Sequence, residues 1–454
     1  MINSLSIDQF ASILHENVSP TAPIQSQEHL FGREKQLQQV QQALYAPGRT
    51  VFIYGDRGVG KTSLAQTVAY AHQSSKHDPI LLACDPDSTF VGTMASALEQ
   101  INHPSAQGTI TSIYAAKVGV KGFGLDVSKT LHQDAPPKAE SMASLNDVVG
   151  ALIKAAAERK NEDTVIVVDE FDRISNDVEK GQFADFIKQI GDQRIPMRFV
   201  FCGVAESLQT LLGAHASCYR YIENVELRTL NWDARFEIID NVASAFNVTL
   251  EGRSRYRIAA ISDGFPHYIH RLCEHLLWAM FRDEREVDHS TIDHFRIAVA
   301  QSVLGIEQHL KHTYDQAVMK DAHGYEHVLW AVADHSDLFR NTEAIYTSYC
   351  DLIKSFDGQA EILDRPTVVS RLSALKRRPS GNILMSPRKG FYQFRESIMR
   401  GYIRLRAEEQ GCELALDYAA PSRPSTDLTW RIRPARRGNF GTVAGDRRKL
   451  EYPE

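Results

Sequence analysis

The sequence predicts an α/β fold: a mainly parallel sheet covered by helices on both faces, then an all-helical region, then a small helical module closed by a β-hairpin. Three observations predict it. Short apolar runs alternate with amphipathic stretches of helical period through the first half of the chain. From Asn231 the strand-like runs stop and helical spacing takes over. Beyond residue 321 three helical stretches lead into two short strand-like runs around a Pro/Gly turn. The chain has 454 residues, 43% hydrophobic and 24% charged, with a formal net charge of −6. That length suits about two to four domains. The composition excludes a disordered chain, a collagen and a coiled-coil rod, and the mild charge excludes a generic binder of polyanions.

Each element follows in order. Residues 1–30 are expected to be a leader, with one weak helical stretch and a Pro/Ser/Gln-rich link. A core is expected over 31–230. It opens on a turn and an amphipathic helix (HLFGREKQLQQVQQAL), then VFIYG (51–55), an apolar run ending in Gly that reads as a buried strand. A glycine-rich turn, the helix TSLAQTVAYAHQ and a second strand, PILLACD (79–85), follow. Residues 109–132 alternate polar and apolar around Gly122 and Gly124, which predicts an inserted hairpin, either surface decoration or a contact loop for a partner. A linker near Ala135-Pro136-Pro137 and a helix over 144–160 lead to TVIVVDE (164–170), the strongest buried strand, and RFVFCGV (198–204) is another. A helical lid is expected over 231–320, with Asp233 capping one helix and Pro266 beginning a long amphipathic one to 281. The module spans 321–410, and the Pro/Gly/Arg-rich tail 411–454 is expected to be disordered.

Compartment signals are negative. No apolar run approaches the ~18–20 residues that span a bilayer, so no membrane association is expected. The N-terminal stretch lacks the basic and apolar regions of a secretory signal. Cys84, Cys202, Cys218, Cys273, Cys350 and Cys412 include no C-x-x-C pair. Six reduced thiols in a cytoplasmic protein are expected.

The chemistry begins at Gly55-Asp56-Arg57-Gly58-Val59-Gly60-Lys61-Thr62, which fits G-x-x-x-x-G-K-S/T, with a buried strand before it and a helix after it. The glycines let the backbone turn its N–H groups inward, and with the positive helix end these hold a β-phosphate. Lys61 is placed to reach the β/γ-phosphates, the Thr62 hydroxyl to ligate Mg²⁺, and Ser63 to complete the loop. ATP and Mg²⁺ are the expected ligands of this P-loop, or Walker A, segment. Asp169 and Glu170 end the VIVVDE strand as a Walker B pair, with Asp169 on the Mg²⁺ side and Glu170 as general base for hydrolysis. Asp172, in the same run, reads as structural, for example a helix cap.

Together these pieces resemble the AAA+ and STAND-like ATPases over about residues 30–300, closest to the origin-recognition and replication-initiator type. Phe31-Gly32-Arg33-Glu34 is similar to the box that packs on adenine in those proteins. FCGVAESL (201–208) looks like their fourth core strand running into a sensor position, with Glu206 where initiators commonly have Asn, so the resemblance assigns Glu206 no sensing role. SDGFPHYIHRL (262–272) resembles the lid helix that carries a second sensor. His267, after Pro266, falls at the sensor Arg, with Arg271 the alternative, and Gly-x-Pro is closer to the STAND pattern. The resemblance further implies an Arg supplied in trans within an oligomer, with Arg220 the candidate and Arg228 the other.

The C-terminal module reads helix, helix, helix, hairpin, helix, and resembles a winged helix-turn-helix. Such a domain also follows the lid in initiator ATPases. In RPTVVSRLSALKRR, Val368, Val369, Leu372 and Leu375 follow helical spacing and leave Arg371 on the other face, and NILMS-PRKG-FYQF makes the hairpin. Between Arg365 and Arg406 there are eleven Lys/Arg against one acid, Glu396, a formal +10 that leaves −16 elsewhere. Such segregation is the footprint of a polyphosphate partner. Arg371 is placed for a base edge and Arg377, Arg388 and Lys389 for phosphates or a minor groove.

Two functions follow. One is a DNA-associated ATPase whose nucleotide state controls DNA binding or assembly. The other is a STAND-type signalling or defence switch whose winged helix contacts protein. The charge favours the first and the Gly-x-Pro lid the second.

Overall fold

A computed structural model describes residues 1–18, 30–73, 77–102, 144–159, 162–214, 216–319, 321–356 and 361–415. The expected hairpin at 109–132, the linker at 135–137 and the tail from 416 lie outside the described residues. The chain divides into two compact units. One comprises Met1–Arg33, Asp56–Gly60 and the described residues from Arg228 on, and the other Glu34–Gly55 and Lys61–Leu227.

The first unit opens on α1 (Ile7–Asn17). Ser6 and Gln9 close a reciprocal capping box at its start. This helix is the helical stretch expected within residues 1–30. Phe10 is fully buried, with its ring 5.1, 4.5 and 4.4 Å from Phe246, Trp278 and Phe281. Burying one such ring contributes about 2–3 kcal/mol.

The second unit is the α/β sandwich. Its elements in order are α2 (Glu34–Tyr45), β1 (Thr50–Gly55), α3 (Lys61–His72), β2 (Ile80–Ala83), α4 (Phe90–Asn102), α5 (Leu145–Glu158), β3 (Thr164–Asp169), α6 (Asp177–Gln193), β4 (Met197–Gly203), α7 (Ala205–Ala214) and β5 (Ile222–Leu227). The five strands form one parallel sheet in the order β2-β3-β4-β1-β5. Side chains alternate across it. Phe52, Ile166, Val168, Phe199 and Phe201 face one layer with Phe90, Leu152, Phe183 and Phe186 of α4, α5 and α6. Val51, Ile53, Val165, Val167, Val200 and Cys202, also buried, lie on the other face, where α2 and α3 cover the strands. Near-continuous apolar strands are what a sheet buried on both faces requires. The edge strand β5 was not expected. Its sequence, IENVEL, buries only Ile222, Val225 and Leu227, so it lacks the apolar run of the central strands. It pairs with β1 from Thr50↔Ile222 to Gly55↔Leu227, and Glu223 accepts from Gln39 and Arg49.

The rest of the first unit begins with α8 (Trp232–Ala245). Asn231, not Asp233, caps it, accepting from the Ala234 amide, because Asp233 already lies inside the first turn. Next come α9 (Gly252–Ser262), α10 (Pro266–Phe281, Pro at its first turn), α11 (Ile292–Leu304) and α12 (Gln308–Val318). Then follow α13 (Ala322–Ala333), β6 (Arg340–Asn341), α14 (Thr342–Phe356), α15 (Arg365–Ala374), β7 (Leu384–Met385), β8 (Phe391–Phe394) and α16 (Ile398–Glu409). The short strands make an antiparallel sheet in the order β6-β8-β7. This is the expected order of elements with one strand, β6, added. Cys412, Leu414 and Ala415, at the start of the expected tail, are buried.

A buried charge cluster fastens α16 within this unit. Asp263, 3% exposed, receives Arg400 through two hydrogen bonds (2.5 and 2.8 Å) and Arg404 through one (3.0 Å). Arg400 also donates to the carbonyls of His335, Ser336 and Asp337, and Arg404 to those of Ala260, Ala333 and His335. Burial alone would raise the Asp263 carboxyl, but the two guanidiniums outweigh it and hold it below the ordinary carboxylate value.

Candidate nucleotide site and basic hairpin

In the chain, the phosphate-loop motif runs from the end of β1 to the start of α3. Gly58 (φ +83°) and Gly60 (φ +97°) occupy backbone conformations that L side chains rarely adopt. Gly60 needs glycine for its backbone alone, since an added Cβ would meet nothing within 4 Å. At Gly58 a Cβ would also sit 2.9 Å from Ile398 Cδ1 and 3.5 Å from Phe265 Cδ1. Val59 is buried, and its carbonyl accepts from the Arg33 guanidinium at 2.9 Å. Arg33 is 5% exposed and also donates to the Arg228 carbonyl at 2.6 Å. Its role seen here is therefore to hold loop backbone, and an adenine box that used its guanidinium would have to give up those bonds. Phe31 and Ser63 are half-buried, while Asp56 and Arg57 are exposed.

Within the second unit, Lys61, Thr62, Asp169 and Glu170 come together at the ends of β1 and β3. Lys61 Nζ donates to the Gly55 carbonyl at 3.0 Å. The Thr62 hydroxyl donates to Asp169 Oδ2 at 2.6 Å, and the Glu170 amide to Asp169 Oδ1 at 2.8 Å. Burial pushes the Asp169 carboxyl above its ordinary value, against the pull of those two hydrogen bonds and of Lys61. A hydroxyl and a carboxylate side by side are hard oxygen donors of the kind Mg²⁺ takes, with substrate phosphates and water completing its shell. Among the described residues no group of three or more His, Cys, Asp or Glu could hold a metal by itself. Burial pushes the Cys84 thiol up to about 12 and the Cys202 thiol well above its ordinary value, so neither supplies a thiolate beside this pair.

Glu170 stands in the left-handed region (φ +53°, ψ +34°), at the start of a 3₁₀ turn, Phe171–Arg173. Phe171 anchors that turn, its ring edge-on to Phe52, Phe183 and Phe201. The Arg173 amide donates to the Glu170 carbonyl at 2.8 Å, and its guanidinium to Glu170 Oε2 at 2.9 Å. Asp172 is exposed inside the turn and does not occupy the cap position, which falls to Glu170. Arg173 was missed from the sequence. Its signal was its place three residues after Glu170 in the run Asp169-Glu170-Phe171-Asp172-Arg173.

The remaining candidates scatter. His267, half-buried, meets the Tyr268 ring edge at 5.4 Å, in the first turn of α10 after Pro266. Arg271 donates to the Gly305 carbonyl. Arg220 is exposed with its guanidinium 5.9 Å from the Tyr221 ring centre. Arg228 and Glu206 are exposed.

In the C-terminal module the hairpin is present, with Leu384 opposite Phe394 and Met385 opposite Gln393. Arg388 and Lys389 lie exposed in its turn. The Phe391 amide closes onto the Arg388 carbonyl (2.9 Å), Gly390 takes φ +79°, and Thr342 donates to the Gly390 carbonyl. Arg377 and Arg378 are exposed in the turn after α15. Arg371 is a correction. It does not stand clear on an outer face but pairs with Asp321 at 2.7 Å, lies over the Tyr325 ring and keeps 17% of its side chain exposed. The charge count needs the same correction, because Arg400 and Arg404, at 6% and 0% exposed, belong to the interior.

Residues 29–197 match a family model described as an AAA ATPase domain. No curated protein sequence matches the chain. Among solved structures, a Walker-type ATPase of Pyrococcus abyssi is similar at 14% identity over 84% of this chain and 98% of that one, with a TM-score of 0.48. Cdc6p of Pyrobaculum aerophilum follows at 14%, 88%, 98% and 0.44. The ORC1 protein of Aeropyrum pernix, solved in complex with DNA, stands at 17%, 84%, 93% and 0.41. Identities this low carry neither activity nor partner from those proteins to this chain. The phosphate-loop motif, the Asp-Glu strand end and the five-stranded parallel sheet agree with the match of residues 29–197 to an AAA ATPase domain.

Proposed function

We propose that the chain binds ATP with Mg²⁺ at the Gly55–Ser63 loop, hydrolyses it, and uses nucleotide state to control DNA binding or assembly by its C-terminal module. The observation that carries this reading is the Thr62 hydroxyl on the Asp169 carboxylate beside Lys61 at the carboxyl ends of two parallel strands. In this reading the loop amides and Lys61 bind the β- and γ-phosphates, and Thr62 and Asp169 hold the cation. When bound, Mg²⁺ would supply neutralising charge to the phosphate oxygens. Glu170 takes a proton from a water as its oxygen bonds to the γ-phosphorus, the bond from that phosphorus to the bridging oxygen breaks, and ADP and phosphate leave. Phe31, Pro266 and His267 would line the base and lid side, and Arg220 would serve a neighbouring copy in an oligomer. The module reads as a winged helix, and its exposed Arg377, Arg378, Arg388 and Lys389 support a polyphosphate partner.

A second reading is a signalling switch in which this module makes protein contacts. Ile398 against Gly58, with Arg400 and Arg404 locked on Asp263, favours it, since α16 then touches the phosphate loop itself. ATP hydrolysis with and without duplex DNA across a salt series separates the two. Stimulation that fades as salt rises supports DNA control, and hydrolysis indifferent to DNA at every salt concentration puts the switch first.

A further inference from the structure

We infer that Arg173 is the positioning residue of the proposed general base: it fixes the Glu170 carboxylate by one oxygen and leaves the other free to take the proton from water. The inference rests on the reading of Glu170 as base. Three observations carry it. The Arg173 guanidinium reaches Oε2 of Glu170 at 2.9 Å, and among the described residues Oε1 of Glu170 takes no hydrogen bond from it. The two residues are also tied through the backbone, Arg173 amide to Glu170 carbonyl at 2.8 Å, so the pair closes a ring over a single 3₁₀ turn. That turn is immobilised from beneath by Phe171, fully buried among the core aromatics, while Glu170 above it holds a left-handed backbone that a non-glycine residue adopts only when its surroundings impose it.

The physical consequence is orientation. A glutamate at a strand end has three side-chain torsions and, left alone, spends most of its time in rotamers that do not face one fixed water. An arginine held three residues on selects among them. Both side chains are a little under half exposed, at 45% and 42%, so solvent screens the pair and the effect is modest. Asp169, the adjacent carboxylate, is held separately by Thr62 and the Glu170 amide, so loss of Arg173 leaves the cation-side residues in place.

The test is a double-mutant cycle on the full chain, Arg173→Ala, Glu170→Gln and both together. It reads steady-state hydrolysis, affinity for a fluorescent ATP analogue and thermal melting. Arg173→Ala should lower kcat about two- to five-fold, the range an exposed pair supports, with KM, analogue affinity and melting temperature unchanged. Arg173→Lys should recover part of the loss. In the Glu170→Gln background the same replacement should do nothing further, because there is no carboxylate left to orient. An unchanged or raised kcat in Arg173→Ala overturns the inference, as does an equal loss in the Glu170→Gln background. A fall in affinity or melting temperature that accounts for the loss makes Arg173 structural and overturns it too. If Glu170→Gln itself hydrolyses ATP at the wild-type rate, the base assignment fails first, and the inference goes with it.

Discussion

At the scale of single residues, Lys61 is the most exposed to test. Its ammonium rests on the Gly55 carbonyl at the mouth of the loop, a neutral acceptor that a phosphate oxygen would replace with a charged one. A hydrogen bond to a charged group is worth about 1.5–3 kcal/mol. Lys61→Ala should therefore weaken ATP binding roughly 10–100-fold, read by titration of a fluorescent analogue. Wild-type affinity would mean that the loop does not serve phosphate. That Lys61, Thr62 and Asp169 gather in one place was legible in the sequence, because the motif and the strand end that hold them have characteristic residue types and spacing. Arg33 was not. Its place beside Phe31 and Gly32 suggested adenine, but two backbone carbonyls, one of them 195 positions along the chain, take its guanidinium, and such carbonyls leave no trace in a motif. Arg371 fails for the same reason, since its partner Asp321 lies 50 residues away.

At the scale of elements, the central strands β1, β3 and β4 could be read from sequence because their burial demands an uninterrupted apolar run, and β2, though at the other edge, could be read because its residues, ILLA, are all apolar. β5, at the sheet edge, presents Glu223 and Glu226 between its buried residues and so carries no such run. Helix α16 shows the opposite failure. Its arginines looked like surface charge, yet Arg400 and Arg404, one helical turn apart, are the interior partners of Asp263. Removing one member of a buried ion cluster strands the others. Asp263→Asn should cost about 3 kcal/mol, read by urea unfolding at pH 7. The sign of the pH dependence follows from the direction of the shift. The folded carboxyl titrates below the ordinary value of about 3.9, so its contribution is present above that pH and is lost as pH falls through the folded value. The gap in stability between wild type and Asp263→Asn should therefore shrink as unfolding is repeated toward pH 3. A gap that stayed constant would mean that the cluster's charge does not matter.

At the scale of the whole molecule, the question is what the segregated charge is for. The sequence count of +10 for residues 365–406 overstates the outward charge, because Arg400 and Arg404 are buried on Asp263 and half-buried Arg371 is paired with exposed Asp321. Arg365 and Arg406 are each paired with a glutamate, Glu343 and Glu409. Exposed and clustered near the hairpin are Arg388 and Lys389 in its turn, with Arg377 and Arg378 in the turn before β7. Both sets stand on backbone turns closed by their own hydrogen bonds, Phe391 amide to Arg388 carbonyl and Ser380 and Asn382 amides to Arg377 carbonyl. Truncating the side chains should leave those turns intact. If the module meets duplex DNA, each lost phosphate contact lowers the slope of log affinity against log salt by about 0.9. Arg388→Ala with Lys389→Ala should thus reduce the slope by about one to two units, equally for every sequence tested, with unchanged melting temperature. Arg371→Ala is the internal control. It should lower the melting temperature by breaking the contact with Asp321 and Tyr325 and should not alter preference among DNA sequences. Affinity that is insensitive to salt in the wild type, measured with ATP present, would assign the exposed arginines to a protein partner and move the signalling-switch reading ahead of the DNA one.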